Sequence, residues 1–230
     1  MPSKNALKEY EAGAYYHIYN RGVAKRTIFK TDKDYKTFLS YLKLYLTPPP
    51  PRSLSPLPPP SRQLNNFADQ IRLISYCLMP NHFHLLVRQT EIDSINYFMR
   101  SLATKYVRYF NQHYQRIGHL FQGRYKAVRV ANEEQFVYLT KYIHRNPLSL
   151  STYEDSPRSL SGYPYSSYPN YLGKFSQDWV KTFEVLSYFS QTHPHSTYQS
   201  FVEESLLDDI SPIINVTLDL EQPTRTVLVG

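Results

Sequence analysis

Ten residues, Met79-Pro80-Asn81-His82-Phe83-His84-Leu85-Leu86-Val87-Arg88, restrict the fold of this chain more than any other stretch. Pro and Asn are turn residues, and the alternation after them reads as a strand, whose successive side chains point to opposite faces. His82, His84, Leu86 and Arg88 then share one face, and Phe83, Leu85 and Val87 share the other. Ile71 to Leu78 has the apolar content of a second strand, so the two form an antiparallel hairpin around Pro80-Asn81. The apolar face packs under helices, which leaves two imidazoles side by side on an open face. Two neutral imidazoles can hold one divalent ion, and the same pattern also suits two half-buried histidines bonded to neighbours.

The flanking segments supply the partners such a hairpin needs. Ala14 to Gly22 reads as a first strand closing in an Asn-Arg-Gly turn. Thr31-Asp32-Lys33-Asp34 has the hydroxyl and the carboxylate three residues on that mark a capping box. Tyr35, Phe38, Leu39, Leu42 and Leu46 follow at helical spacing, so a helix runs to about Leu46. Eight prolines between Pro48 and Pro60 then exclude helix and interior strand, and the stretch of about 47–63 reads as an insertion. Ser94 to about His113 is helical, with an apolar stripe through Ile95, Phe98, Leu102 and Tyr106 and a basic polar side. Gly118 to Val130 reads as a fourth strand carrying Arg124, Lys126 and Arg129, and Asn132 caps a helix from Glu133 that ends at Pro147. The order β-α-β-β-α-β-α is that of an α+β, ferredoxin-like arrangement: a four-stranded antiparallel sheet with helices on one face.

Charge divides the chain. Residues 1–150 carry 22 Lys+Arg against 9 Asp+Glu, or +13, and residues 151–230 carry 4 against 10, or −6, which together make the net +7. A basic body of this kind suits a polyanionic partner. Cys77, the single cysteine, allows no internal disulfide and no structural zinc cluster, which suits a reducing cytoplasm. The first residues lack the apolar core of a secretory signal, and no run reaches the roughly 18 apolar residues of a membrane span. After Pro147 the signal thins. Gln177 to about Ser190 and Ser196 to about Ile210 read as two helices, and Ile213 to Gly230 as a strand-like or disordered tail. The expected division is a body of residues 1–150 and a mainly helical extension of 151–230.

In the last helix of the body, Tyr138, Tyr142 and Asn146 lie four residues apart and share a stripe. An Asn oxygen beside a phenol can join a metal shell, although with 22 tyrosines in the chain spacing alone does not select this one, and Asn146 before Pro147 also suits an ordinary helix end. Here a resemblance enters. Tyr15-Tyr16-His17-Ile18-Tyr19-Asn20-Arg21-Gly22, Met79-Pro80-Asn81-His82-Phe83-His84, Gly123-Arg124-Tyr125-Lys126 and Tyr142-Ile143-His144-Arg145-Asn146-Pro147 together resemble the REP-associated tyrosine transposases of the single-tyrosine HUH superfamily. The likeness runs from about residue 14 to 150 and extends to Tyr163-Pro164-Tyr165-Ser166-Ser167-Tyr168 and Tyr171-Leu172-Gly173; the Pro-rich insertion and the length of the extension depart from it.

The resemblance implies that His82, His84 and Asn146 are ligands of Mg²⁺ or Mn²⁺, with Asn146 where other branches place a Gln, and that Tyr142 is the nucleophile. It implies cleavage and rejoining of single-stranded DNA at palindromic hairpin elements through a 5′-phosphotyrosine, in a bacterial, nucleoid-associated setting. Arg21, Arg100, Lys105, Arg108, Arg124, Lys126 and Arg129 are the candidate DNA-binding cations, and aromatic rings would stack unpaired bases. Two rival readings stay open: a single-stranded nucleic-acid-binding module without covalent chemistry, and a metal-dependent nuclease that uses water, with Tyr142 structural. Nothing in the residues chooses between monomer and homodimer.

Overall fold

The computed structural model describes residues 10–49, 65–150, 159–204, 211–213, 215 and 217. The Pro-rich insertion beyond Pro49 and nearly all of the tail expected from Ile213 lie outside the described residues. Four strands, β1 (Tyr15–Arg21), β2 (Ile71–Met79), β3 (His82–Gln89) and β4 (Lys126–Arg129), form one antiparallel sheet in the order β2-β3-β1-β4. The long helices are α1 (Asp32–Leu46), α2 (Ser94–His113) and α3 (Glu133–Arg145), and three shorter ones follow: α4 (Tyr168–Tyr171), α5 (Phe183–Leu186) and α6 (Pro194–Glu203). The α+β class and the four-stranded antiparallel sheet are those expected from the sequence.

Two of the three long helices, α1 and α3, start at a side-chain cap. Thr31 and Asp34 form the capping box of α1. Asp34 is fully buried, and Oδ2 accepts the backbone N–H of Lys30 at 2.8 Å and of Thr31 at 3.0 Å. Its carboxylate also accepts the hydroxyls of Tyr109 at 2.9 Å and Tyr114 at 2.7 Å, so one charge satisfies the start of α1 and ties it to the end of α2. Asn132 accepts the N–H of Gln135 at 2.8 Å to open α3.

The sheet is buried on both faces. Tyr16, Ile18, Phe83, Leu85 and Val87 pack beneath α1 and α2 against Phe38, Leu42, Phe98 and Tyr106. The opposite face, which carries the histidines and was expected to stand open, lies under α3: Phe136, Leu139 and Ile143 meet Ile74, Cys77 and Leu86, with Tyr171 and Tyr198 of the extension beyond. Covering this face removes from water an apolar stripe on α3 and an apolar patch on the sheet, at roughly 25 cal/mol per Å². A register shift between Leu73 and Ser75 changes the parity of β2, so Ile71 and Leu73 before it face the same layer as Tyr76 and Leu78 after it. Burial also pushes the Cys77 thiol well above its usual range, so it acts as a packing group.

The extension finishes the sheet. At the β2 edge, Leu78 donates to the Tyr165 carbonyl at 2.9 Å, Ser167 to Tyr76 at 3.0 Å, and Lys181 to Leu73 at 2.8 Å. This explains a departure from expectation. Val180 bridges Leu73, so the chain runs along the strand edge where a helix from Gln177 was expected, and only Phe183–Leu186 is helical. The second expected helix is α6, and its expected end near Ile210 lies outside the described residues. Strand β4 is also shorter than expected. Gly118 (φ 91°) and Gly123 (φ 75°) take left-handed backbone that interrupts a regular strand, so the continuous ladder with β1 begins only at Lys126, after an isolated bridge from Phe121 to Gly22.

Candidate active site

The register fixes what shares the histidine face. Tyr19 pairs with His84, Arg21 with His82, and His17 with Leu86. On the other side of β1, Tyr19 pairs with Lys126 and His17 with Val128. Directly opposite residues of neighbouring strands point the same way, so His17, Tyr19, Arg21, His82, His84 and Lys126 form one polar field under the last turns of α3.

Helix α3 brings Tyr142 and Asn146 to that field. The Tyr142 ring stands edge-on to His84 with centroids 5.5 Å apart, and to His17 at 6.1 Å. Asn146 Nδ2 donates to the Tyr142 carbonyl at 2.9 Å, which turns Oδ1 toward the sheet, 3.5 Å from His82 Nε2. The His82 and His84 rings are perpendicular, with centroids 4.9 Å apart. Tyr138, on the same stripe, goes elsewhere: its ring packs edge-on against Phe201 of α6, centroids 5.4 Å apart.

The donors suit a cation. His82 Nδ1 lies 2.6 Å from Asn81 Oδ1, an acceptor; in the tautomer with its proton on Nδ1, Nε2 presents a lone pair. That lone pair faces the carbonyl oxygen of Asn146, and two acceptors pointed at one another 3.5 Å apart is the arrangement a shared positive ion relieves. Among the described residues no group of three or more His, Cys, Asp or Glu gathers for a metal; here the third donor is an amide oxygen. Two imidazoles, one amide oxygen and solvent suit Mg²⁺ or Mn²⁺ better than a closed zinc site.

His17 is the site residue that the sequence reading missed. It is fully buried, and its Nε2 lies 2.9 Å from His84 Nδ1, with the two rings stacked at 5.1 Å. An imidazole coordinating through Nε2 needs its Nδ1–H received by an acceptor, and His17 is placed to receive it. The available signal was parity: in a strand paired antiparallel to the hairpin, His17 alternates onto one face with Tyr19 and Arg21, but only the register puts it beside His84.

The seven candidate cations do not gather in one place. Arg21 and Lys126 belong to the histidine field, and Arg21 Nε donates to Gln122 Oε1 at 2.6 Å. Arg100 and Arg124 line a cavity on the opposite face of the sheet. Lys105 sits over the rings of Tyr41 and Tyr45 at 4.9 and 5.6 Å, and Arg108 is exposed on α2. Arg129 pairs with Glu11 at 2.7 Å.

The extension holds α3 in place. His144 is fully buried between the Tyr198 hydroxyl (2.7 Å from Nδ1) and the Ser167 hydroxyl (2.8 Å from Nε2), and Tyr198 donates onward to Thr140 at 3.0 Å. Burial drives its pKa down to about 3, so the ring is neutral. Arg145 adds a bond to the Val202 carbonyl at 2.8 Å.

The fold is an antiparallel four-stranded sheet with paired strand histidines beneath a tyrosine-bearing helix. Residues 65–146 match the family model described as IS200-like transposase. Among solved structures, the chain is similar to a REP-associated tyrosine transposase bound to a REP hairpin, at 13% identity and a TM-score of 0.52, over 77% of this chain and 94% of that one. That likeness shows the shared fold. A provisionally assigned transposase from Deinococcus radiodurans R1 aligns at 16% identity and a TM-score of 0.37, over 62% of this chain and 97% of that one. No curated protein matches the chain. Among the described residues no helix is long and apolar enough to cross a membrane.

Proposed function

We propose that this protein cuts and rejoins single-stranded DNA beside hairpin repeat elements, with Tyr142 as nucleophile and a divalent ion held by His82, His84 and Asn146. The observation that carries the reading is the convergence of one turn of α3 on the strand histidines: Tyr142 5.5 Å from His84 ring to ring, and Asn146 Oδ1 3.5 Å from His82. The similar solved structure holds a REP hairpin, which supports a DNA stem next to an unpaired cleavage site as substrate.

Attack of the Tyr142 oxygen on phosphorus forms a phenolic phosphodiester with the 5′ side and breaks the bond to the 3′ oxygen, which leaves as a hydroxyl on taking up a proton. A phenol with an ordinary pKa near 10 is a weak nucleophile at neutral pH, so the positive field of the site must favour its anion. When bound, the divalent ion supplies Lewis-acid polarisation of the phosphate. Lys126, on the same face, adds positive charge where the phosphate oxygens gather it. The tyrosyl ester retains the phosphodiester energy, so a DNA 3′ hydroxyl can reverse the step without a nucleotide cofactor.

The test is a labelled hairpin with an unpaired flank, incubated with protein and Mn²⁺ and run under denaturing conditions. A shifted adduct mapping to Tyr142 is expected, lost in Tyr142→Phe while DNA binding persists. Cleavage retained in Tyr142→Phe would mean a water-using nuclease, and an adduct on Tyr19, whose ring lies 6.0 Å from that of His84, would reassign the nucleophile.

A further inference from the structure

A cavity of about 590 Å³ opens between α2 and the turn that leads into β4, on the face of the sheet away from the histidines. Its floor is apolar and includes Phe121. Its rim carries the arginines Arg100 and Arg124 and a tyrosine, Tyr97, that is 60% exposed. Two amides, Asn20 and Asn96, reach the lining from opposite walls. Asn20 Oδ1 accepts the Arg21 N–H at 2.9 Å and its Nδ2 donates weakly to the Gly123 carbonyl at 3.4 Å. Asn96 Oδ1 accepts the Tyr125 hydroxyl at 2.7 Å, and its Nδ2 donates to Asp93 at 2.7 Å. Each amide nitrogen carries two hydrogens, and these bonds account for one of them.

We propose that this cavity receives one unstacked nucleobase of the DNA substrate, with Arg100 and Arg124 on the phosphates that flank it. The inference rests on the DNA-processing reading above and deepens it by giving the strand a second point of attachment. The chemistry of the lining selects the occupant. A flat aromatic guest suits an apolar floor with a tyrosine at its lip, and in-plane amide donors suit the edge of a base. The two guanidiniums outnumber the single carboxylate of the lining, Asp93. An apolar peptide would use the floor and leave the arginines idle. The connection to the reaction centre runs through a single segment: Arg124 and Tyr125 line the cavity, while the next residue, Lys126, faces Tyr19 in the histidine field. A strand passing over the β4 edge therefore meets both places.

The test scans the unpaired flank of a hairpin with single abasic substitutions and measures the affinity of the full chain, with adduct formation followed in parallel. One position is expected where loss of the base weakens binding about tenfold, the effect of removing one stacked base. In Tyr97→Ala, and independently in Thr104→Trp, which fills the cavity mouth from an exposed position, the abasic change at that position should no longer matter. Abasic profiles identical in wild type and both variants would overturn the proposal. The adduct assay keeps the two readings separate. An adduct with unchanged profiles leaves the strand-transfer mechanism standing and removes the base site. A base site without an adduct keeps the cavity as inferred and removes the covalent chemistry. A chain that binds none of these DNAs removes both.

Discussion

At the scale of single residues, His17 has the most to say about how the site is built. It sits in the first strand, far in sequence from the hairpin, and it fixes the orientation of His84 through one bond of 2.9 Å. If it is a positioning residue, His17→Gln should keep an acceptor near His84 and His17→Leu should not. The Leu variant is expected to need 10- to 100-fold more Mn²⁺ for half-maximal adduct, the usual cost of losing an outer partner of a metal-binding histidine, with the Gln variant between it and wild type. A metal titration of the adduct yield, alongside thermal unfolding to separate stability from affinity, checks this. Asn146→Ala should raise the metal requirement too. Asn146→Asp should restore it, because a carboxylate can take the place of the amide oxygen.

At the scale of elements, α3 carries the proposed nucleophile and also a structural duty, and the two use different sides. Tyr142 and Asn146 face the sheet, while Thr140 and His144 face the extension. The neutral, buried His144 gives the fold a pH signature. Its folded pKa of about 3 lies below the ordinary 6.5, so between those values the unfolded chain takes up a proton that the folded chain refuses. Stability from this group is therefore complete above pH 6.5 and declines on acidification toward pH 3, by about 1.4 kcal/mol per unit. Urea midpoints at pH 7 and pH 5 should show a loss of about 2 kcal/mol that is absent in His144→Gln. The caps of α1 and α3, the spans of the three long helices and the hairpin turn were legible in the sequence because they depend on local chemistry: Thr31 with Asp34, Asn132 before Glu133, and Pro80-Asn81. The burial of the histidine face was not read, although β2 carries its trace in Ile71 to Met79, an almost continuous apolar run that a strand covered on one side only would not need. The β4 boundary was missed because the positive φ of two glycines, Gly118 and Gly123, cannot be read from their neighbours in sequence.

At the scale of the whole molecule, the extension is a second layer laid over the sheet and not a separate lobe. It saturates the β2 edge and closes the apolar side of α3. Removing residues from 160 onward should therefore yield an aggregating chain with lost tertiary structure, seen in size-exclusion and near-ultraviolet circular dichroism, even though every proposed catalytic residue remains. Charge acts on the same scale. Affinity for single-stranded DNA should fall with salt, and Lys126→Ala should reduce the log–log slope by about 0.7, the counterion share of one phosphate contact. Arg129→Ala should leave the slope unchanged, since Arg129 is already neutralised by Glu11.

The fastening of α3 to α6 has a bearing on strand exchange itself. A rod bolted along one flank and pressed to a sheet along the other resists roll and swing, so the reach of the proposed tyrosyl oxygen comes mainly from its own side-chain torsions. In the proposed reaction, the nucleic acid would then travel between cutting and sealing while the polypeptide serves as a stationary anvil.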